Sequence, residues 1–108
     1  MTDRLIVTAS ARDDITRNAA WWAELHSIEQ ALRWYDTIYE QLESLLTFPE
    51  SYAFSSENDA FSYELREKLV GLGRHKTYRA IFTIAGEEVR VLAVRRASQD
   101  TFSPDELA

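Results

Sequence analysis

Cysteine is absent from the 108 residues, which excludes a disulfide scaffold, a thiolate nucleophile and a cysteine-based zinc site, and is compatible with a reducing compartment. Long apolar runs are missing too. The opening Met1-Thr2-Asp3-Arg4-Leu5-Ile6-Val7 has three consecutive apolar residues at its end before polar ones resume, which makes neither a signal peptide nor a membrane span. The expected location is the cytoplasm, with no membrane association. No repeat or low-complexity run is present, and no metal or cofactor motif, so no cofactor is expected. Positive charge is in deficit: the net charge is −6 and the pI about 4.8, a total that argues against a nucleic-acid binder.

What is present belongs to a packed protein. Hydrophobic residues make up 45% of the chain, with five Tyr, five Phe and three Trp, enough to build one core, and the length suits one domain over 1–108. The charge is unevenly distributed. Residues 1–60 carry four basic and eleven acidic side chains, whereas 66–96 carry eight basic residues against Glu67, Glu87 and Glu88. The acidic average therefore conceals a basic second half.

Periodicity divides the chain into elements. Arg4-Leu5-Ile6-Val7 reads as a strand and Thr8 as the N-cap of a helix over 9–26, with Ala11, Ile15, Ala19, Trp22 and His26 on one face. Ser27 and Gln30 have the spacing of a capping box. A second helix follows, in which Ile28, Ala31, Leu32, Tyr35, Ile38, Tyr39, Leu42, Leu45 and Leu46 keep helical spacing until Phe48-Pro49 closes it near Thr47. The short joint implies a helical hairpin or a sharp bend. Residues 49–60 are polar without a sustained period and read as a surface connection. Beyond them the period becomes two, with Tyr63, Leu65 and Leu69, then Tyr78, Ala80, Phe82 and Ile84, then Val89, Val91 and Ala93. Gly71, Gly73 and Gly86 supply the turns of an antiparallel meander. Ser103 and Pro104 have the form of a cap and first position of a last helical turn. The expected fold is α+β: an N-terminal strand, a helical hairpin, then a three-stranded antiparallel meander, with the helices packed on one face of the sheet.

This order, with its local sequences, resembles the RelE/ParE family of toxins from type II toxin–antitoxin systems. Val7-Thr8-Ala9-Ser10-Ala11-Arg12-Asp13-Asp14-Ile15 is similar to the family's strand-to-helix entry. Glu64-Leu65-Arg66 and Thr77-Tyr78-Arg79-Ala80-Ile81-Phe82-Thr83-Ile84 resemble its "Leu-Arg" and "Tyr-Arg-aliphatic-aliphatic-aromatic" strands, and Val89 to Asp100 resembles its final strand running into a basic segment. One departure is Arg96, where the family often has His, and another is Ser98, where it has a basic residue. Arginine does not deprotonate near neutral pH, so Arg96 is no replacement for a His acid or base.

The resemblance implies two activities. RelE-like members cleave messenger RNA on the ribosome by attack of the ribose 2′-OH, which needs a base, an acid and cations around the phosphorane. Arg66, Arg79 and Arg96 are the candidate cations and His75 or Glu67 the nearby titrating groups, although His75 lies in a turn where a solvated histidine is the ordinary reading. No convincing acid–base pair emerges, and if the chain is an enzyme the resemblance implies an endoribonuclease. ParE-like members bind and trap DNA gyrase, which calls for a docking surface, and the two long helices favour this branch. Either branch implies a cognate antitoxin as partner. An inactive orphan binding module is a third alternative.

Alternation sets Arg66 and Lys68 opposite Leu65 and Leu69, and Arg79 opposite Tyr78 and Phe82. The expectation is a basic sheet face open to an acidic partner. The candidate residues for target or antitoxin binding are Arg66, Lys68, Arg74, Lys76, Arg79, Arg95, Arg96, Trp21 and Trp34. Trp21 and Trp22, about 100° apart on a helix, do not both fit the centre of the core stripe, which Trp22 fits; Trp21 and Trp34 are read as partly exposed contact candidates, with a wide buried face as the alternative.

Overall fold

A computed structural model describes residues 3–74, 76–97 and 101–107 of the chain. Strand β1 spans Arg4–Val7, helix α1 Ala9–Leu25, helix α2 Ile28–Glu43, and strands β2, β3 and β4 span Arg66–Val70, Tyr78–Ala85 and Glu88–Arg96. The sheet order is β1-β4-β3-β2, with β1 parallel to β4 and the other neighbours antiparallel. The expected α+β arrangement is present, with the helical hairpin packed on the sheet.

The local signals act as their chemistry requires. Thr8 Oγ1 accepts the Ala11 N–H at 3.2 Å and donates to the Val91 carbonyl at 2.8 Å, so one side chain both caps α1 and ties its start to β4. Ser27 Oγ caps α2 through the Gln30 N–H at 3.0 Å. A 3₁₀ turn over Ser44–Leu46 ends the helical run, and Pro49 opens another one. Gly86, with φ of 62°, makes the turn between β3 and β4 that only a residue without Cβ adopts cheaply. Gln41 fastens α2 to the far end of β2, donating to the Gly71 carbonyl at 3.1 Å and accepting its N–H at 2.8 Å.

The main core lies between hairpin and sheet: Ala11, Ile15, Trp34, Ile38, Leu42 and Leu45 meet Val70, Tyr78, Ala80, Phe82, Val89, Val91 and Val94. Trp34 is fully buried, packed 5.0 Å from Tyr78 between ring centroids. The expectation that it is partly exposed is thus corrected. The buried line of α2 runs through Ala31, Trp34, Ile38 and Leu42, leaving Ile28, Leu32 and Tyr35 on the outside.

The middle of the opposite sheet face is covered as well, while Leu69 on β2 stays exposed. Leu65, Ile81, Leu92, Ala93 and Phe102 form a second buried cluster, with Phe61 packed against it. Leu92 and Ala93 both belong to it because a β-bulge shifts the register: Ile81 pairs with Ala93 and Phe82 with Val91, so Leu92 is the extra residue. The bulge inverts the alternation, placing Arg95, the cross-strand partner of Arg79, on this second face. Residues 49–60, expected to be a plain surface connection, and the stretch on to Leu65, expected to belong to the next strand, fold back along the edge of β2 and help cover that face. Ser55 N–H bonds the Leu65 carbonyl at 2.8 Å and Glu67 N–H the Ala53 carbonyl at 3.0 Å.

Candidate functional site

The arginines expected to share one open face divide between two. Arg66 and Lys68 pair across the strands with Phe82 and Ala80, on the helix side, whereas Arg79 is opposite Leu69 and shares its face with Glu67, Ile81 and Arg95. This corrects the expected common basic face. Arg66 is also turned inward: Nη1 donates to the carbonyls of Glu50 at 3.0 Å and Tyr52 at 2.7 Å, and the guanidinium lies 4.4 Å from the centre of the Phe54 ring. Lys68 bonds Ser44 Oγ and lies 5.4 Å from the Tyr52 ring. Both cations brace the 3₁₀ turns against the sheet.

Arg79 is 5% exposed and is enclosed by carboxylates. Nη1 bonds Glu57 Oε1 at 2.6 Å and Glu67 Oε1 at 3.2 Å, and Nη2 bonds Glu57 Oε2. Glu57 further accepts from the hydroxyls of Ser55 and Ser56 at 2.8 Å each and from the Phe102 N–H at 2.9 Å. Burial pushes the Glu57 carboxyl up, but the hydrogen bonds from Arg79, the two serines and Phe102 outweigh it and hold its pKa at about 2. The residue came from the stretch read as an ordinary connection, where nothing local distinguishes it from a solvated glutamate.

A second ionic knot fixes β4 to α1. Asp14, 1% exposed, accepts from the Val94 N–H at 3.0 Å and Arg95 Nε at 3.0 Å, and bonds Arg17. Arg95 also donates to Glu106 at 2.7 Å. Burial raises the Glu106 carboxyl while the hydrogen bond from Arg95 lowers it further, so its net pKa lies below the ordinary value. Of the remaining candidates, Arg74, Arg96 and Trp21 are exposed and Lys76 is half-buried, donating to the Gly73 carbonyl. His75 lies outside the described residues.

The surface that does stand open is apolar. Trp21 and Leu25, four residues apart, are exposed on α1, and Ile28, Leu32 and Tyr35, at spacings of four and three, are exposed along α2, with Leu25, Ile28 and Leu32 each more than half exposed. Tyr35 continues into a groove of about 360 Å³ lined by Asp36, Tyr39, Glu40 and Glu43. Burial and the neighbouring Tyr35 raise the Tyr39 phenol pKa. An exposed apolar line along α2 with an acidic margin has the character of a protein-docking face. In the sequence Ile28, Leu32 and Tyr35 share the helical spacing of the buried Ala31, Ile38 and Leu42, so spacing alone does not separate the two lines. The apolar arc of α2 is too wide for one-sided burial, and that width was the available signal.

Among the described residues no helix is long and apolar enough to cross a membrane. The family model for the ParE toxin of the type II toxin–antitoxin system parDE matches residues 5–101. No curated protein matches. Among solved structures, the chain is similar to one described as the chromosomal ParDE TA system from P. aeruginosa, at a TM-score of 0.71 and 23% identity, over 86% of this chain and 94% of that one. At that identity the likeness is one of fold.

Proposed function

The chain belongs to the ParE toxin family of type II toxin–antitoxin systems, and from that premise we propose that it arrests growth in the cytoplasm by docking on DNA gyrase and is neutralised by a cognate antitoxin. The observation that carries this reading is the separation of the arginines. RelE-type cleavage needs cations converging on one phosphate with an acid and a base beside them. Arg66 and Arg79 lie on opposite faces of the sheet, one engaged with backbone carbonyls and the other enclosed by Glu57 and Glu67. A binding toxin needs only a shaped surface.

The hairpin stripe suits the antitoxin. An unstructured tail that folds on binding gains most where it covers exposed apolar surface, and Ile28, Leu32 and Tyr35 offer such a line along α2. The ParDE assembly to which this fold is similar supports an antitoxin partner. The gyrase surface would then include the residues left exposed elsewhere, Arg74 and Arg96.

The test is growth arrest on induction without antitoxin, repeated with His75→Ala. Under this reading His75→Ala arrests growth as well as the parent does. Loss of arrest in a folded His75→Ala protein would favour ribosome-dependent cleavage of messenger RNA, and no arrest by the parent would favour an inactive binding module.

A further inference from the structure

Phe102 lies just beyond the residues 5–101 that the family model matches, yet its side chain is 1% exposed. Its ring stacks on Phe61 with centroids 5.3 Å apart and planes 17° from parallel, and the Arg95 guanidinium lies 5.5 Å from its centre. Leu65, Ile81, Leu92 and Ala93 complete the socket. The backbone is recognised too: the Phe102 N–H donates to Glu57 Oε2 at 2.9 Å, and the Thr101 carbonyl accepts from Arg95 at 3.3 Å. Four residues after the ring, Glu106 accepts from Arg95 at 2.7 Å and from the Ser103 N–H at 3.0 Å, which closes the turn Pro104–Leu107.

The socket residues come from the matched span of the chain, whereas the ring that fills the socket comes from outside it. Arg95 and Glu57 are themselves fixed from behind, by Asp14 and Arg79, so the recognising groups are held in place whether or not the ring is present. The occupant is held by one aromatic ring, two backbone contacts and an ion pair whose Glu106 side chain is 38% exposed. That is a small set of ties, of the kind a second peptide can exchange with. The main core, between hairpin and sheet, does not involve Phe102.

We propose that the second face of the sheet is a peptide-recognition site, occupied in cis by residues 101–107, which also receives an aromatic-anchored acidic segment of another protein chain. The incoming ring takes the Phe61 socket, its backbone N–H meets Glu57, and a carboxylate four residues on meets Arg95. This inference is independent of the gyrase reading, since it concerns a different surface and is read out without growth arrest.

The probe is a labelled, amidated peptide of sequence Thr-Phe-Ser-Pro-Asp-Glu-Leu, titrated into the full-length protein by fluorescence anisotropy. Phe102→Ala vacates the socket and is expected to bind the peptide at least tenfold more tightly than the parent, while the same peptide with Ala for Phe shows no saturable binding. Glu106→Gln, which keeps the ring and loosens the cis tie, is expected to tighten peptide binding several-fold, and this arm decides the matter if Phe102→Ala does not fold. Equal affinity for the parent and the folded variants, or binding indifferent to the peptide's ring, overturns the proposal.

Discussion

Replacing Glu57 with Gln removes the negative charge facing Arg79, and leaves a guanidinium whose side chain is only 6% exposed leaning on Glu67 at 3.2 Å. The size of the effect follows from the titration of the carboxyl, which is held at about 2 against an ordinary value of 4.5. That difference corresponds to about 3 kcal/mol of stability at neutral pH. Against a total stability of about 5–15 kcal/mol it is a substantial share, and it translates into a fall in Tm of about 10–20 °C. The pH dependence has a definite sign. Because the folded carboxyl titrates below its ordinary value, the stabilisation is complete above pH 4.5 and is lost as the pH falls toward about 2. Other carboxylates titrate in both proteins and largely cancel in the difference. Urea unfolding followed by circular dichroism at pH 7, 5 and 3.5 should therefore show the parent exceeding Glu57→Gln by nearly the full margin at pH 7 and 5, with the gap narrowed to about 2 kcal/mol at pH 3.5. Glu64→Gln, whose side chain is 68% exposed, is the control and should change stability by less than about 0.5 kcal/mol. A Glu57→Gln protein as stable as the parent at pH 7, or a gap that stays constant to pH 3.5, would refute the reasoning.

Asp14→Ala should cost about 3–5 kcal/mol in the same unfolding experiment, because it strands the Val94 N–H and leaves Arg95 without its buried partner; Asp14→Asn should recover part of the loss. Leu32→Lys, at an exposed position, should change stability by less than about 0.5 kcal/mol yet weaken antitoxin binding at least about tenfold by titration calorimetry. Unchanged antitoxin affinity would remove the hairpin stripe from the account.

The elements were legible where a local chemical signal announced them. Thr8 and Ser27 mark helix starts, Pro49 a stop and Gly86 a turn, and each does so through backbone geometry that depends little on the rest of the fold. The site was less legible, for three physical reasons. In α2 both Ile28-Leu32-Tyr35 and Ala31-Ile38-Leu42 obey helical spacing, and only the position of the sheet decides which line is buried. Arg79 was correctly set opposite Tyr78 and Phe82, but alternation does not say whether that face is wet. Burial came from Phe61, Leu65 and Phe102 laid over it, and the neutralising charge from Glu57, 22 residues away in sequence. The bulge at Leu92 then reversed the alternation for Ala93 and Arg95, and a run of apolar residues such as Val91-Leu92-Ala93-Val94 carries no mark of where the extra residue sits.

The most direct test of the toxin reading is gyrase supercoiling of relaxed plasmid in the presence of the purified protein, run beside translating ribosomes on a defined message. Inhibition of supercoiling that is relieved by the antitoxin, with the message left intact, is the predicted result. Cleavage of the message with gyrase unaffected would contradict it and return Arg66, Arg79 and Arg96 to a catalytic role.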